Sequence, residues 1–338
     1  MTDTQNNYGA HFPNVRMRRL RHAQWMRDMV TETRLTPSDL ILPIFVIEGQ
    51  NTKEAITSMP DVLRQSIDIA IETAKTARDA GIPAIALFPA IEKNKKDNNG
   101  SEASNPDNLI CRTIQAIKKD VPEIGIITDV ALDPYTNHGH DGILDQNGHV
   151  LNDETLEILC QQALVQAQSG ADIIAPSDMM DGRVGAIRTH LDASQFIQTA
   201  IMAYAAKYAS AFYGPFRDAV KSGDSLKGDK KTYQMNPANR REAIRETQLD
   251  IQEGADMVMV KPGMPYLDIV RDIKNEFQIP TFAYQVSGEF AMLKLAHQQG
   301  CLDYETCLME TLLSFRRAGC DGILTYGAID AANILNKV

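Results

Sequence analysis

Two lysines carry most of the chemistry that this sequence offers. Lys261 closes the run Met257, Val258, Met259, Val260, which has no polar alternation and reads as a strand buried on both faces; Pro262 and Gly263 follow at once. An amine at such a place loses solvation, so its ammonium form is disfavoured and it becomes a neutral nucleophile for a carbonyl. Lys207 ends a similar run, AIMAYAAK at 200–207. Neighbouring ammonium groups disfavour one another's charge, so each amine helps keep the other neutral. One Schiff base would serve an aldolase acting through Lys261 alone. Two suit the condensation of two keto compounds, with the amines as covalent anchors and proximity lowering the entropic barrier.

Such amines must be held by rigid elements, and the chain supplies a regular series of them. Short apolar runs at 41–47, 84–89, 125–130, 171–177, 200–207, 256–261, 281–286 and 321–328 alternate with helical patterns. The clearest helix has Leu156, Leu159, Cys160, Ala163, Leu164 and Ala167 on one face, with Gly170 as its stop. Strands spaced by helices imply right-handed parallel crossovers, and eight of them point to a closed (β/α)8 TIM barrel. No G-x-G-x-x-G follows the first strand, which weakens a dinucleotide-binding reading. In such a barrel the strand C-termini mark the catalytic face, and they carry Asp129, Ser177 with Asp178, Lys207, Lys261, Ser287 and Tyr326.

Four stretches lie outside this repeat. Residues 1–35 crowd Arg16, Arg18, Arg19, Arg21 and Arg27 around Met17, Leu20, Trp25 and Met26, an arm suited to docking on another subunit, and residues 36–338 then form the barrel. A long glycine-bearing segment at about 209–237, with cations Arg217, Lys221, Lys227, Lys230 and Lys231, reads as a lid able to clamp an anionic group. The loop DVALDPYTNHGHDG carries Asp129, Asp133, His138, His140 and Asp141, whose oxygens permit a hard cation such as Mg²⁺. Residues 94–108 read as a flexible loop without chemistry.

Composition narrows the classes. With 34 Lys and Arg against 44 Asp and Glu, the formal charge of -10 argues against nucleic acid and anionic membranes as partners of the whole chain. Five cysteines without a CxxC pair indicate neither a disulfide framework nor a zinc ribbon, and a reducing cytoplasm is the expected location. Neither an apolar leader nor a run of membrane-spanning length is present, and no organic cofactor is expected. An anion-binding barrel acting as sensor or scaffold is the non-enzymatic alternative.

MVKPGMPYLDI at 259–269, AYAAKYASAFYGPFRDA at 203–219, APSDMMDGRVGAIR at 175–188 and HGHDG at 138–142, in this order, resemble the delta-aminolevulinic acid dehydratases, over Arg16 to Tyr326. The resemblance implies a lyase that condenses two molecules of 5-aminolevulinate to porphobilinogen with loss of two waters. It implies that Lys261 binds one substrate as a Schiff base, with Ser287 and Tyr326 on its carboxylate. Lys207 would bind the other, whose carboxylate meets Arg217, Lys230 and Gln234; Phe212 and Tyr213 are implied as further substrate contacts, and Asp129 and Asp178 as proton-transfer groups. Zinc-dependent relatives carry three cysteines where this chain has Ala131, Asp133 and Asp141. The chain therefore resembles the aspartate-bearing branch, for which no catalytic zinc is expected, Asp133 and Asp141 form at most a weak cation site, and a regulatory, allosteric Mg²⁺ rests on Glu246. The family further implies a homo-octamer of arm-embracing dimers.

Overall fold

A computed structural model describes residues 11–221, 226 and 228–337. The chain divides after Arg34 into two units. In the first, a 3-10 turn Met17–Arg21 and the short helix α1 (Gln24–Met29) bury no side chain, and Phe12, Met17, Trp25 and Met29 are exposed.

The second unit is a closed barrel. Its strands are β1 (Leu40–Val46), β4 (Ala84–Pro89), β5 (Gly125–Val130), β6 (Ile173–Pro176), β7 (Ala200–Lys207), β8 (Met257–Lys261), β9 (Thr281–Gln285) and β10 (Gly322–Thr325). Each pairs in parallel with the next, and β10 returns to β1 through Leu40↔Ile323 and Ile41↔Leu324. All eight lie within three residues of the apolar runs expected from sequence. The crossovers are made by α2 (Ile67–Asp79), α3 (Leu109–Asp120), α4 (Asn152–Gln168), α5 (Arg183–Ala193), α7 (Arg241–Gln252), α8 (Leu267–Phe277) and α10 (Tyr304–Ala318); α11 (Ala328–Leu335) follows β10. Helix α4 stops where Gly170 adopts φ +106°, a conformation that L side chains resist. Among the described residues, no helix is long and apolar enough to cross a membrane.

Extra elements sit between strands and helices at the C-terminal face. After β1 the short strands β2 (Lys53–Ala55) and β3 (Leu63–Gln65) form an antiparallel hairpin, and β3 also pairs with the end of β1. After β7 a 3-10 turn (Ala211–Tyr213) leads into α6 (Gly214–Ala219), within the stretch read as a lid; Lys227 of that stretch lies outside the described residues. After β9, α9 (Ser287–Gln298) starts directly, so Ser287 is the first residue of a helix and not the end of a strand. Residues 94–108 are not a structureless loop. They form two 3-10 turns, bury Ala103 and Asn108 completely, and let the Asn108 side chain cap α3 by accepting from Cys111 N. Their polar composition hid this because the bonds made are local side-chain to backbone bonds, which need no apolar surface.

Close approach of backbones marks one position. A Cβ on Gly288 would stand 2.6 Å from the Phe212 carbonyl oxygen and 3.0 Å from its Cα. A main chain cannot yield as a flexible side chain does, so Gly288→Ala is expected to cost about 1–3 kcal/mol. A denaturant midpoint equal to that of the parent protein would show that the two segments are not held this closely.

Candidate active site

Parallel pairing of β7 with β8 sets Lys207 directly opposite Lys261. In a barrel both side chains then leave the sheet at its C-terminal rim. Each lysine is only 5% exposed, yet their surroundings differ.

The Lys261 amine sits inside an aromatic cage, 4.8 Å from the ring centre of Tyr284, 4.9 Å from Phe216, 5.0 Å from Tyr204 and 5.5 Å from Tyr213. Burial is the largest influence on it and Lys207 the next, and together they lower its pKa to about 7 against the opposing pull of Asp129. The ring faces favour the cation and moderate this fall without reversing it. The sequence reading assigned the desolvation to Met257, Met259 and Val260; the cage instead comes from β7, β9 and the stretch after β7. A side chain at a strand end projects beyond the residues behind it, so its walls come from other elements.

The Lys207 amine instead faces oxygens. It donates to the Ser177 carbonyl and lies 3.6 Å from Asp141 Oδ1. Asp141 is shared, because Lys230 Nζ lies 2.9 Å from its Oδ2 and 3.1 Å from Asp133 Oδ2. Burial alone would raise the Asp141 carboxyl, but Lys207 and Lys230 hold it well below the usual range. The pair proposed as a weak cation site, Asp133 and Asp141, is thus bridged by an ammonium from the chain itself. Among the described residues no three His, Cys, Asp or Glu side chains converge as a metal-ligand set.

Two further carboxyls lie poised near neutrality. Burial raises Asp129 to about 6 against Lys261 and Lys207, and its Oδ1 has no hydrogen-bond partner. Burial likewise raises Asp178 to about 7 against Arg183; its Oδ1 accepts from Met180 N at 2.7 Å, while Oδ2 has no hydrogen bond and lies 3.9 Å from Arg183 Nε. Groups that change protonation at such pH values can both give and take protons in one cycle.

The remaining candidates are distributed around this centre. Tyr326 and Tyr284 hydroxyls are 2.8 Å apart. Ser287 Oγ accepts from Phe216 N at 2.9 Å and donates to Phe212 O, while Tyr213 donates to the Lys261 carbonyl at 3.0 Å. Gln234 is buried, and its neighbour Tyr233 accepts from Asp141 N. Arg217 is half-buried on α6 and has no ion pair among the described residues. Lys221 and Lys231 are engaged away from the lysine pair, with Glu54 and Asp229. Glu246 lies apart from the lysines on α7, half-buried in a cleft that it shares with Asp181, Glu242 and His149. Burial is the main cause that raises its carboxyl.

Sequence reasoning passed over Glu289. This carboxyl is fully buried, accepts from Val286 N at 2.5 Å and Met264 N at 2.6 Å, and is pushed up to about 8 by burial. It ties the turn after Lys261 to the start of α9, and the available signal was its place as the third residue of that helix. The rings of Tyr204, Phe216 and Tyr284 were also missed, since aromatic residues on apolar runs read as core.

Residues 14–334 match the family model of delta-aminolevulinic acid dehydratase. The chain belongs to that family. It is 60% identical to the delta-aminolevulinic acid dehydratase of Bradyrhizobium diazoefficiens, over 95% of this chain and 91% of that one. It is 54% identical to that of Rhodobacter capsulatus, over 96% and 97% of the two chains. In structure it is similar to the delta-aminolevulinic acid dehydratase (porphobilinogen synthase) of Toxoplasma gondii ME49, solved in complex with the reaction product porphobilinogen: TM-score 0.94, 47% identity, and 98% and 95% of the chains covered. In the delta-aminolevulinic acid dehydratase fold of this chain, the two buried lysines lie at the C-terminal rim where the barrel architecture places catalysis.

The lowered pKa of Lys261 has a direct readout. Below about 7 the amine takes up a proton and ceases to be a nucleophile, so borohydride trapping of 5-aminolevulinate at Lys261 should fall as pH drops from 8 to 6. A trapping profile that rises only near pH 10 would mean that the cage does not desolvate the amine.

Proposed function

We propose that this chain is a porphobilinogen synthase, a lyase that joins two molecules of 5-aminolevulinate with loss of two waters. The observation that carries this reading is the register Lys207↔Lys261, which sets two buried amines side by side. Each amine adds to the ketone carbon of one substrate; a proton reaches the carbinol oxygen, water leaves, and an imine forms. Asp129 and Asp178 are the groups positioned by their raised pKa values to deliver those protons and to remove the α-protons needed for carbon–carbon bond formation. The amino group of one substrate adds to the imine carbon of the other and displaces that lysine, while the second lysine leaves by elimination from the carbon that formed the new carbon–carbon bond, so both amines are regenerated without further water. A class I aldolase would need Lys261 alone and gives no reason for burying a second amine opposite it.

Ser287 and Tyr326 serve the carboxylate of the substrate on Lys261, while Arg217, Lys230 and Gln234, with Phe212 and Tyr213 beside them, serve that of the second. Arg217 suits this because its planar fork is not spent on another carboxylate among the described residues. Lys230 must exchange Asp133 and Asp141 for the substrate, or hold all three.

Zinc is not assigned a part in the chemistry, because the carboxylates at the relevant positions are already engaged by the side chains of Lys207 and Lys230. Mg²⁺ fits better at Glu246. After burial, the charge of Arg183 lowers its carboxyl while those of Asp250, Asp181 and Glu242 raise it, and a hard cation with several retained waters would offset that repulsion. When bound there, the ion supplies positive charge and structural linkage. The exposed apolar residues of the arm, Phe12, Met17 and Trp25 among them, fit docking on a second copy in an octamer.

The test is colorimetric detection of porphobilinogen from 5-aminolevulinate. Lys261→Ala should abolish turnover with the fold retained, and full activity of that variant would refute the mechanism. Arg217→Ala should weaken use of the second substrate by about 1.5–3 kcal/mol, seen as a raised KM; unchanged kinetics across substrate concentration would remove it from the site. Zinc-selective chelation should leave the rate intact. Titrating Mg²⁺ into metal-free protein should stimulate it and shift sedimentation toward the larger assembly, and Glu246→Ala should lose both responses while keeping basal activity. Dependence of both proteins on zinc would overturn the metal assignment.

A further inference from the structure

The hairpin β2–β3 is not a barrel strand pair, yet it carries a guanidinium buried as deeply as the two lysines. Arg64 is 4% exposed. Its Nε donates to the Ala219 carbonyl at 2.6 Å and its Nη2 to the Asp218 carbonyl at 2.6 Å. Its Nη1 pairs with Glu54 at 2.6 Å, and Asp218 Oδ1 lies 3.3 Å from Nη2. Ser58 of the same hairpin donates to Asp218 Oδ2 at 2.5 Å.

Asp218 and Ala219 are the last two residues of α6. The final carbonyls of a helix have no partner within it, and a cation placed there satisfies them and suits the negative end of the helix dipole. At the other side of the same helix, Phe216 N is held by Ser287 Oγ. Helix α6 is therefore pinned at two points, and between them it presents Phe216, whose ring stands over Lys261 and packs on Phe45 and Phe88, and Arg217. An isolated six-residue helix has no stability of its own, so its position is set by these anchors.

We propose that Arg64 is a positioning residue for the condensation: by capping the end of α6 it holds the Phe216 ring against the Lys261 amine and Arg217 at the substrate mouth. The proposal rests on the porphobilinogen synthase reading. A fork of donors is required, since two carbonyls on consecutive residues and a carboxylate are met at once, which a lysine ammonium cannot reproduce in the same geometry. Loss of the cap frees α6, lets water reach Lys261, and restores part of its ammonium solvation. The amine then titrates at higher pH, because burial is the largest cause of its depression.

The experiment compares Arg64→Ala, Arg64→Lys and Glu54→Gln with the parent protein by thermal midpoint, by KM and kcat for 5-aminolevulinate, and by the pH profile of borohydride trapping at Lys261. Arg64→Ala is expected to raise KM about tenfold and to move the trapping profile to higher pH; Arg64→Lys should lie between it and the parent. Glu54→Gln keeps both carbonyl bonds and should leave KM and the profile unchanged. Arg64 variants that lose thermal stability but keep the parent KM and profile would reduce Arg64 to a fold-stabilising residue and overturn the proposal, as would Glu54→Gln matching Arg64→Ala. Should Arg64→Ala fail to fold, the Arg64→Lys comparison decides in the same terms. Absence of porphobilinogen from the parent protein would instead overturn the functional reading, and the trapping profile separates the two failures because it needs only imine formation.

Discussion

Burying two amines side by side is costly, and the arrangement of this barrel follows from how that cost is met. Register between β7 and β8 makes Lys207 and Lys261 neighbours, so neither can be moved without breaking the sheet. Desolvation and mutual repulsion act on both. The Lys207 side is compensated by oxygen: the Ser177 carbonyl and the Asp141 carboxylate. Lys261 meets rings and is driven toward its neutral form, near 7. Two residues of one type thereby acquire different surroundings through their neighbours alone, which suits a reaction whose two substrate molecules are chemically identical but must play different parts.

Asp141 links this pair to the stretch that follows β7. The carboxylate stands between Lys207 of the barrel and Lys230 of that stretch, and Asp133 completes the second contact. A buried charge stripped of one partner is strongly destabilising, so these ion pairs hold Lys230 against the barrel. The stretch after β7 is thus coupled electrostatically to Lys207, beyond the packing of Phe216 and Tyr213 on the Lys261 side.

Two carboxyls at the same rim are perturbed by the same burial. Asp129 and Asp178 are raised toward neutrality because water is excluded around them, and each keeps one oxygen without a hydrogen bond. A fully satisfied carboxylate would be more stable and less able to accept a proton. A buried carboxyl oxygen without a hydrogen bond is costly, and these two stand at the C-terminal rim of the barrel.

Much of this was legible from the residues. Eight apolar runs separated by amphipathic stretches specify a parallel barrel because hydrophobic period and crossover handedness are local properties of the chain; the strand C-termini then singled out both lysines, Asp129 and Asp178 as candidates without coordinates. The four motifs shared with the delta-aminolevulinic acid dehydratases supplied the remaining candidates. What the sequence could not disclose depends on contacts between segments far apart in the chain. The aromatic cage joins β7, β9 and α6; Lys230 reaches Asp133 across 97 residues, and Arg64 reaches Ala219 across 155. No periodicity records such distances. Residue types and their local spacing determined the barrel and the amines at its rim, while tertiary structure alone decided which amine is surrounded by rings and which by carboxylates, because desolvation and ion pairing are set by neighbours that only folding brings together.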